Sequence, residues 1–414
     1  MTALSASPAA EPASEPLHDR AAAEAYVASV CFKHGPPRLL GAELEWTVHH
    51  AGQPRRQLTA QDLCAALGDH TPLTLNPISP NRPLRHGSLV TVEPGGQVEI
   101  SAPPHPALTA LLNAVAADAA ELAALLADHG LVLGRQAFDP HREPRLLLDT
   151  PRYTAMANSF APEGPDGIAW MCASAGLQVC LDIGEPDRAA TRWAAVNALG
   201  PVLSALFANS DDHDRPDGWS SARMRAMFGA DPQRTSPAPV TADPAASWAE
   251  LAVNTPLICV RRPEGRWDVP PGVSFADWIN GALDRPPTVD DLDYHLSTLF
   301  PPVRPRGYLE VRYLDTQPGE DWIAPVALLA ALFADEATVD AVVAATEPVA
   351  DRWLPSARDG LTDPPIARAV DAVLAIGETA LSVNTDLSEQ TIGSVLEMLD
   401  ERRHKAGPAG GELA

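Results

Sequence analysis

The sequence predicts an α+β protein: an antiparallel sheet with helices packed on one side. Three observations predict this class. Four short apolar segments with strand character are spread through the chain, and helix-like stretches separate them. Each segment alternates between an apolar and a polar side, as a strand does with its period of two. No break in composition divides the chain, so one sheet with one helical layer accounts for all four segments.

The elements follow in order. Residues 1–17, MTALSASPAAEPASEPL, lack basic residues and any continuous apolar stretch, and read as a flexible tail, not a signal peptide. Residues 19–32 read as a helix leading into the first segment, 41–48. There Ala42, Leu44, Trp46 and Val48 face one way, and Glu43 and Glu45 the other. A turn at 51–57 and a short helix at 61–67 precede the second segment, 88–101. Its Pro94-Gly95-Gly96 connection makes a hairpin that sets Glu93 beside Gln97 and Thr91 beside Glu99. Val92, Val98 and Ile100 then lie on the opposite side.

A helix over 106–129 carries Leu108, Leu112, Val115, Leu122 and Leu126 on one stripe, with Gly130 as its stop. Extended chain over 131–138 and a short helix at 153–160 lead to the third segment, 176–182, which carries Gln178. Cys172 and Cys180 are read as one strand region. Residues 187–209 are helical, with Pro201 expected to kink or divide them. A strand is expected over 250–260. Ser274 to Asp277 resembles a capping box, with Asp in place of Glu or Gln. A helix at 290–300 ends at Pro301-Pro302. In the fourth segment, 307–313, Leu309, Val311 and Tyr313 point inward, and Glu310 and Arg312 outward. Beyond Asp321 the chain is Ala-rich and helical through 388–403. The expected organisation is one domain over 18–404 with disordered tails at 1–17 and 405–414.

At 414 residues and 45% hydrophobic content the chain can bury a large core, and its formal charge of −24 makes the surface strongly acidic. That field disfavours nucleic acid and anionic membranes. The five cysteines, Cys31, Cys64, Cys172, Cys180 and Cys259, form no CxxC pair and suggest neither a disulfide framework nor a zinc site, and Cys172 and Cys180 read as buried small hydrophobes. No apolar run approaches the ~18 residues that span a bilayer, so a soluble, cytoplasmic protein is expected.

Carboxylates crowded on one sheet face repel each other unless a cation sits among them. Mg²⁺, which takes a few carboxylates together with substrate phosphate, suits that face. Arg152-Tyr153 and Arg223 lie at loop-to-helix junctions, where a guanidinium fork can hold a ligand carboxylate. Taken singly, each feature has a plainer reading: solvated strand faces, an edge Gln178, and a surface ion pair between Glu310 and Arg312. Asp211-Asp212-His213-Asp214 has metal-like residue types but reads as a solvated turn. No Walker A, GxGxxG or protein-kinase signature is present.

With these residues in hand, the chain resembles the plant-type glutamate–cysteine ligases, and more narrowly the actinobacterial branch that supplies γ-glutamylcysteine for ergothioneine. The matching stretches are 41–45, 93–101, 178–182, 205–210, 295–301 and 308–312, in the family's order. The resemblance implies a fold like the glutamine synthetase catalytic core, with a curved antiparallel sheet around ATP, Mg²⁺ and glutamate. It maps Glu43, Glu45, Glu93, Glu99, Gln178 and Glu310 onto the magnesium-binding face. It makes Arg152, Tyr153 and Arg223 substrate-binding and Arg312 the catalytic, phosphate-facing arginine. Gln178 stands where some relatives carry His. Plant relatives have arginines where Ala157 and Ala173 stand here, and Asn in place of Cys180.

The implied reaction joins the γ-carboxylate of L-glutamate to the amine of L-cysteine at the expense of ATP. A carboxylate–amine ligase with another acceptor, and a non-catalytic sensor on the same fold, are the alternatives. Monomer and homodimer both remain open.

Overall fold

Alternating apolar and polar residues build a six-stranded sheet whose two faces are chemically different. The computed structural model describes residues 16–212 and 217–405. Its strands are β1 Leu40–Trp46, β2 Val48–His50, β3 Leu89–Val92, β4 Val98–Ser101, β5 Leu131–Leu133, β6 Gly176–Leu181, β7 Val303–Pro305 and β8 Leu309–Asp315. The main sheet has the order β3-β4-β1-β6-β8-β7, and every pairing is antiparallel. Strands β2 and β5 form a separate antiparallel pair.

The apolar face is the core. Leu44, Val98, Ile100, Val179, Leu309, Val311 and Tyr313 are buried there, each large aliphatic contributing about 1.5–3 kcal/mol. The helices Leu108–Ala127, Ala189–Leu206 and Ile323–Leu332 pack against β1, β8 and β6 respectively. An α+β architecture with an antiparallel sheet is therefore what forms. The hairpin register is as expected, with Thr91 opposite Glu99 and Val92 opposite Val98. The capping box at Ser274 and Asp277 also forms.

Several expectations need correction. Cys172 lies in the helix Asp166–Ala173, not in the strand that holds Cys180. No strand forms over 250–260: residues 250–254 end the helix Pro244–Asn254, which the Asp243 cap starts with Pro244 in its first turn, and 255–260 hold only isolated bridges. The helix Ala189–Leu206 runs unbroken through Pro201. Next to that proline, Gly200 leaves room for Trp353, whose ring lies where a Cβ would sit. The extended run after Gly130 is only Leu131–Leu133.

Pro16 and Leu17 are not free tail: they pair with Thr288 and Pro287. The final helix includes Lys405. Residues 1–15, 406–414 and His213-Asp214 lie outside the described residues. One helix, Leu108–Ala127, is after all long and apolar enough by composition to cross a membrane. Its Leu111, Leu112, Val115, Leu122 and Leu126 are buried, and its buried Asp118 accepts hydrogen bonds from the backbone of His86 and Ser88. It is used here as a core helix.

Candidate active site

The polar face of the sheet forms the floor of a cleft of about 300 Å³. Strand register places its residues in rows. Glu45 of β1 lies opposite Glu99 of β4, which lies opposite Thr91 of β3. Glu43 lies between Ser101 and Gln178. Glu310 of β8 lies between Cys180 and Arg304 of β7. Acids collect at one end of the sheet and arginines at the other.

At the acidic end, Glu99 accepts hydrogen bonds from Thr91 Oγ1 (2.8 Å) and Gln178 Nε2 (3.1 Å). Glu45 accepts from the Gly176 amide at 2.8 Å. Gln97 ties the hairpin to the helix Asp166–Ala173, its Nε2 donating to the carbonyls of Met171 and Ser174. Gly95 is required for this approach, since a Cβ there would stand 2.1 Å from the Cys172 carbonyl oxygen. Burial, with mutual repulsion second, raises the carboxyl of Glu43 to about 8 and that of Glu99 to about 7. Burial raises Glu45 and Glu93 as well.

Glu310 behaves differently. It is fully buried, which alone would raise its pKa, but Arg304 and Arg312 outweigh burial and hold it down at about 2. Arg304 grips both of its oxygens, at 2.6 and 3.1 Å. The pairing expected at the surface is therefore a buried charge cluster. Arg312 Nη1 also donates to Gln178 Oε1 at 2.7 Å, so Gln178 joins the acids to the arginines.

The cleft wall comes from helix starts. Thr150 caps the helix Pro151–Phe160, with Pro151 in the first turn, and this presents Arg152 and Tyr153 to the cavity. Arg152 donates to Ser297 Oγ and to the Ser297 carbonyl, and stacks on Tyr294. Ser221 caps the helix Ala222–Ala230, which presents Arg223. Arg223 donates to the Arg312 carbonyl at 2.8 Å and passes over Gly176, where a Cβ would lie 2.5 Å from its Nη2. The Nε atoms of Arg223 and Arg312 are buried with no hydrogen-bond partner. Both arginines therefore keep donors for an anionic ligand.

Nine of the ten candidate residues line this cavity, and Glu310 lies directly beneath Arg304 and Arg312. The sequence reading missed Arg304, Arg306, Ser297, Trp170 and Phe300. Arg304 was detectable in principle. A turn at Gly307, which has φ of +80°, folds Val303-Arg304-Pro305 back onto Leu309-Glu310. Ala157 lies within the helix Pro151–Phe160 and Ala173 ends the helix Asp166–Ala173, and neither side chain carries a polar group. Asp212 pairs with Arg225 at 2.7 Å, so its segment is tied structurally to a helix.

The donor set fits a hard divalent cation: carboxylate oxygens, buried or half-buried and crowded, with pKa values raised first by that burial. Among the described residues no three His, Cys, Asp or Glu side chains already stand together ready to hold an ion. Gln178 and Glu310 have their oxygens engaged by arginines, which leaves Glu43, Glu45, Glu93 and Glu99 as the freer donors.

The fold is mixed sheet and helix, its cleft carries both acids and arginines, and the family match makes the protein a ligase. The chain belongs to glutamate-cysteine ligase family 2 (GCS2), whose model matches residues 39–405. It is similar to the glutamate–cysteine ligase EgtA of Mycobacterium tuberculosis, 37% identical over 403 residues, covering 95% of this chain and 89% of that protein. The EgtA of Mycolicibacterium smegmatis is 39% identical over 349 residues, covering 82% and 80%. The chloroplastic glutamate–cysteine ligase of Brassica juncea is 29% identical over 282 residues, covering 66% and 54%.

Proposed function

We propose that this ligase joins the γ-carboxylate of L-glutamate to the amine of L-cysteine in an ATP-dependent reaction, giving γ-glutamylcysteine, ADP and phosphate. The product would serve ergothioneine biosynthesis in the cytoplasm, and residues 18–404 would form the one catalytic domain. The observation that supports this most is a single cleft holding four weakly neutralised glutamates beside arginines with unused donors.

The chemistry follows from the substrates. A carboxylate resists attack by an amine because oxide is a poor leaving group. Transfer of the ATP γ-phosphoryl to the glutamate γ-oxygen makes an acyl phosphate and releases ADP. The amine then attacks the acyl carbon, loses a proton, and phosphate leaves. Arg152, Tyr153 and Arg223 would hold and orient the glutamate carboxylates. Arg312, fixed by Gln178, would stabilise charge on the moving phosphoryl group as the catalytic arginine. Glu43, Glu45, Glu93 and Glu99, with Gln178 and Glu310 at the arginine edge, would hold Mg²⁺, which when bound neutralises phosphate oxygens.

Purified protein given glutamate, cysteine, ATP and Mg²⁺ should release phosphate only when cysteine is present and should yield a γ-linked dipeptide. Phosphate release indifferent to cysteine but dependent on another amine would move the assignment to a different acceptor. No release with any amine would sink it.

A further inference from the structure

On the apolar side of the sheet, away from the cleft, the helices leave another cavity, of about 750 Å³, and no side chain of the cleft lines it. It lies between the helices Ala189–Leu206, Glu336–Thr346 and Trp353–Asp359 and the segment 232–240. Its walls are apolar: Ala194, Ala198, Ala238, Val343 and the rings of Phe228 and Trp353, which meet edge-on at 6.2 Å. Trp353 also stands edge-on to Tyr313, the residue after Arg312, at 5.7 Å. Two large apolar side chains at the mouth, Val240 and Leu354, are 52% and 54% exposed.

Few polar side chains border this cavity. Asn197 is buried in its wall and donates from Nδ2 to the Trp193 carbonyl at 2.9 Å, while its Oδ1 is buried with no hydrogen-bond partner. A buried acceptor of this kind is normally satisfied by a donor. Glu347 and Asp351 are exposed at the rim. The neighbouring Arg352 and Arg358 do not pair with them, being engaged by Asp363 and Asp359. A pocket of this size, mainly apolar with a few placed polar groups, has the usual form of a small-molecule site. The orphaned acceptor calls for an N–H or O–H donor on the ligand, the aromatic walls for an apolar body, and the two acids for a positive charge. The chain's charge of −24 favours the same sign of ligand. A protein partner would need a broad face of about 800 Å² on each side, whereas this mouth offers two exposed large apolar side chains.

We infer that this cavity binds a small organic cation: a compound with an apolar or aromatic body, an N–H or O–H donor for Asn197 Oδ1, and an ammonium group for Glu347 and Asp351. Nothing in the ligation reaction requires such a compound, so this is a site additional to the cleft. Phe228 belongs to the helix that presents Arg223, and Trp353 packs on the strand that carries Arg312. A ligand seated here therefore touches elements that place both arginines.

The test is calorimetric titration of the full chain with two probes. Tryptamine carries an indole N–H and an ammonium group; indole-3-acetate keeps the ring and reverses the charge. Tryptamine should bind the parent about ten-fold or more tightly than indole-3-acetate does. Glu347→Gln combined with Asp351→Asn should erase most of that difference, and Val343→Trp, which fills the cavity, should weaken tryptamine about ten-fold or more. The rim substitutions change only exposed side chains, so they decide the matter even if Val343→Trp fails to fold. Tryptamine bound at parental affinity by the rim variant would overturn the inference, as would a parent that binds no tryptamine or binds both probes equally. Sedimentation of the parent tests the remaining occupant: a dimer that the rim substitutions or Val343→Trp dissociate would make the cavity a contact between copies and overturn the small-molecule assignment.

Discussion

Arg304 on the edge strand and Glu310 on its neighbour form a two-point ion pair, 2.6 and 3.1 Å, with the carboxylate completely shielded from water. Buried charges are costly unless each is paired, and breaking such a pair typically costs about 3–5 kcal/mol. Arg304→Met should therefore lower the unfolding free energy by an amount of that order, read as a lower urea midpoint. It should also draw Arg312 toward Glu310, a shared partner at 3.3 Å that has lost its closer cation, and so move Arg312 from its place beside Gln178. Urea unfolding of the purified variant reads the first effect and kcat the second. Unfolding at the parental midpoint would mean the pair contributes no stability.

The freer carboxylates give a second prediction. Mg²⁺ should raise the melting temperature of the parent, because a cation relieves repulsion that the fold alone leaves uncompensated. Glu43→Ala and Glu99→Ala should each lose most of that rise while folding normally without metal. Differential scanning fluorimetry across a Mg²⁺ series checks it. An undiminished rise in both variants would show that the ion sits elsewhere.

Gly176 predicts a defect in substrate affinity. Its missing side chain lets the Arg223 guanidinium lie across β6, and a Cβ would come within 2.5 Å of Nη2. Gly176→Ala should displace Arg223 and raise KM for glutamate about ten-fold or more, with KM for ATP little changed. Steady-state kinetics with each substrate varied in turn decides it. A rise confined to ATP would contradict the role assigned to Arg223.

His295 carries a pH dependence of stability. It is buried, donates from Nε2 to the Ala252 carbonyl and stacks on Phe275. Burial lowers its pKa from 6.5 to about 4, and Arg234 adds to that. Between those values the unfolded chain takes up a proton that the folded chain refuses. The contribution is therefore complete above pH 6.5 and lost as pH falls toward 4, worth up to ~3 kcal/mol. Urea midpoints at pH 7 and pH 5 should differ more in the parent than in His295→Gln. Equal differences would show that His295 is not the group responsible.

Much of the candidate site was legible because strand alternation is a strictly local property. Glu43 and Glu45 could be assigned to one side of β1 without knowing what β1 pairs with, and the Pro94-Gly95-Gly96 turn set Glu93 and Glu99 in register. Where local signals were weak, the reading failed. The helix Asp166–Ala173 is apolar on nearly every side and shows no period, so Cys172 was assigned to a strand. Strand β7 is three residues long, contains a proline and follows two more, so the turn at Gly307 was the one local mark of Arg304 as Glu310's partner, and it was passed over.

By itself, the order of residues determined which side chains share a strand face and which helices begin at Thr150 and Ser221, because those outcomes depend on neighbours a few positions away. Only the tertiary structure decided which faces meet, and with that the charge state of the site. Glu43 and Glu310 are both glutamates on polar strand faces, yet one is pushed up to about 8 and the other held at about 2. The difference lies in what surrounds each carboxylate once the sheet has assembled: other acids around Glu43, and arginines from β7 and β8 around Glu310.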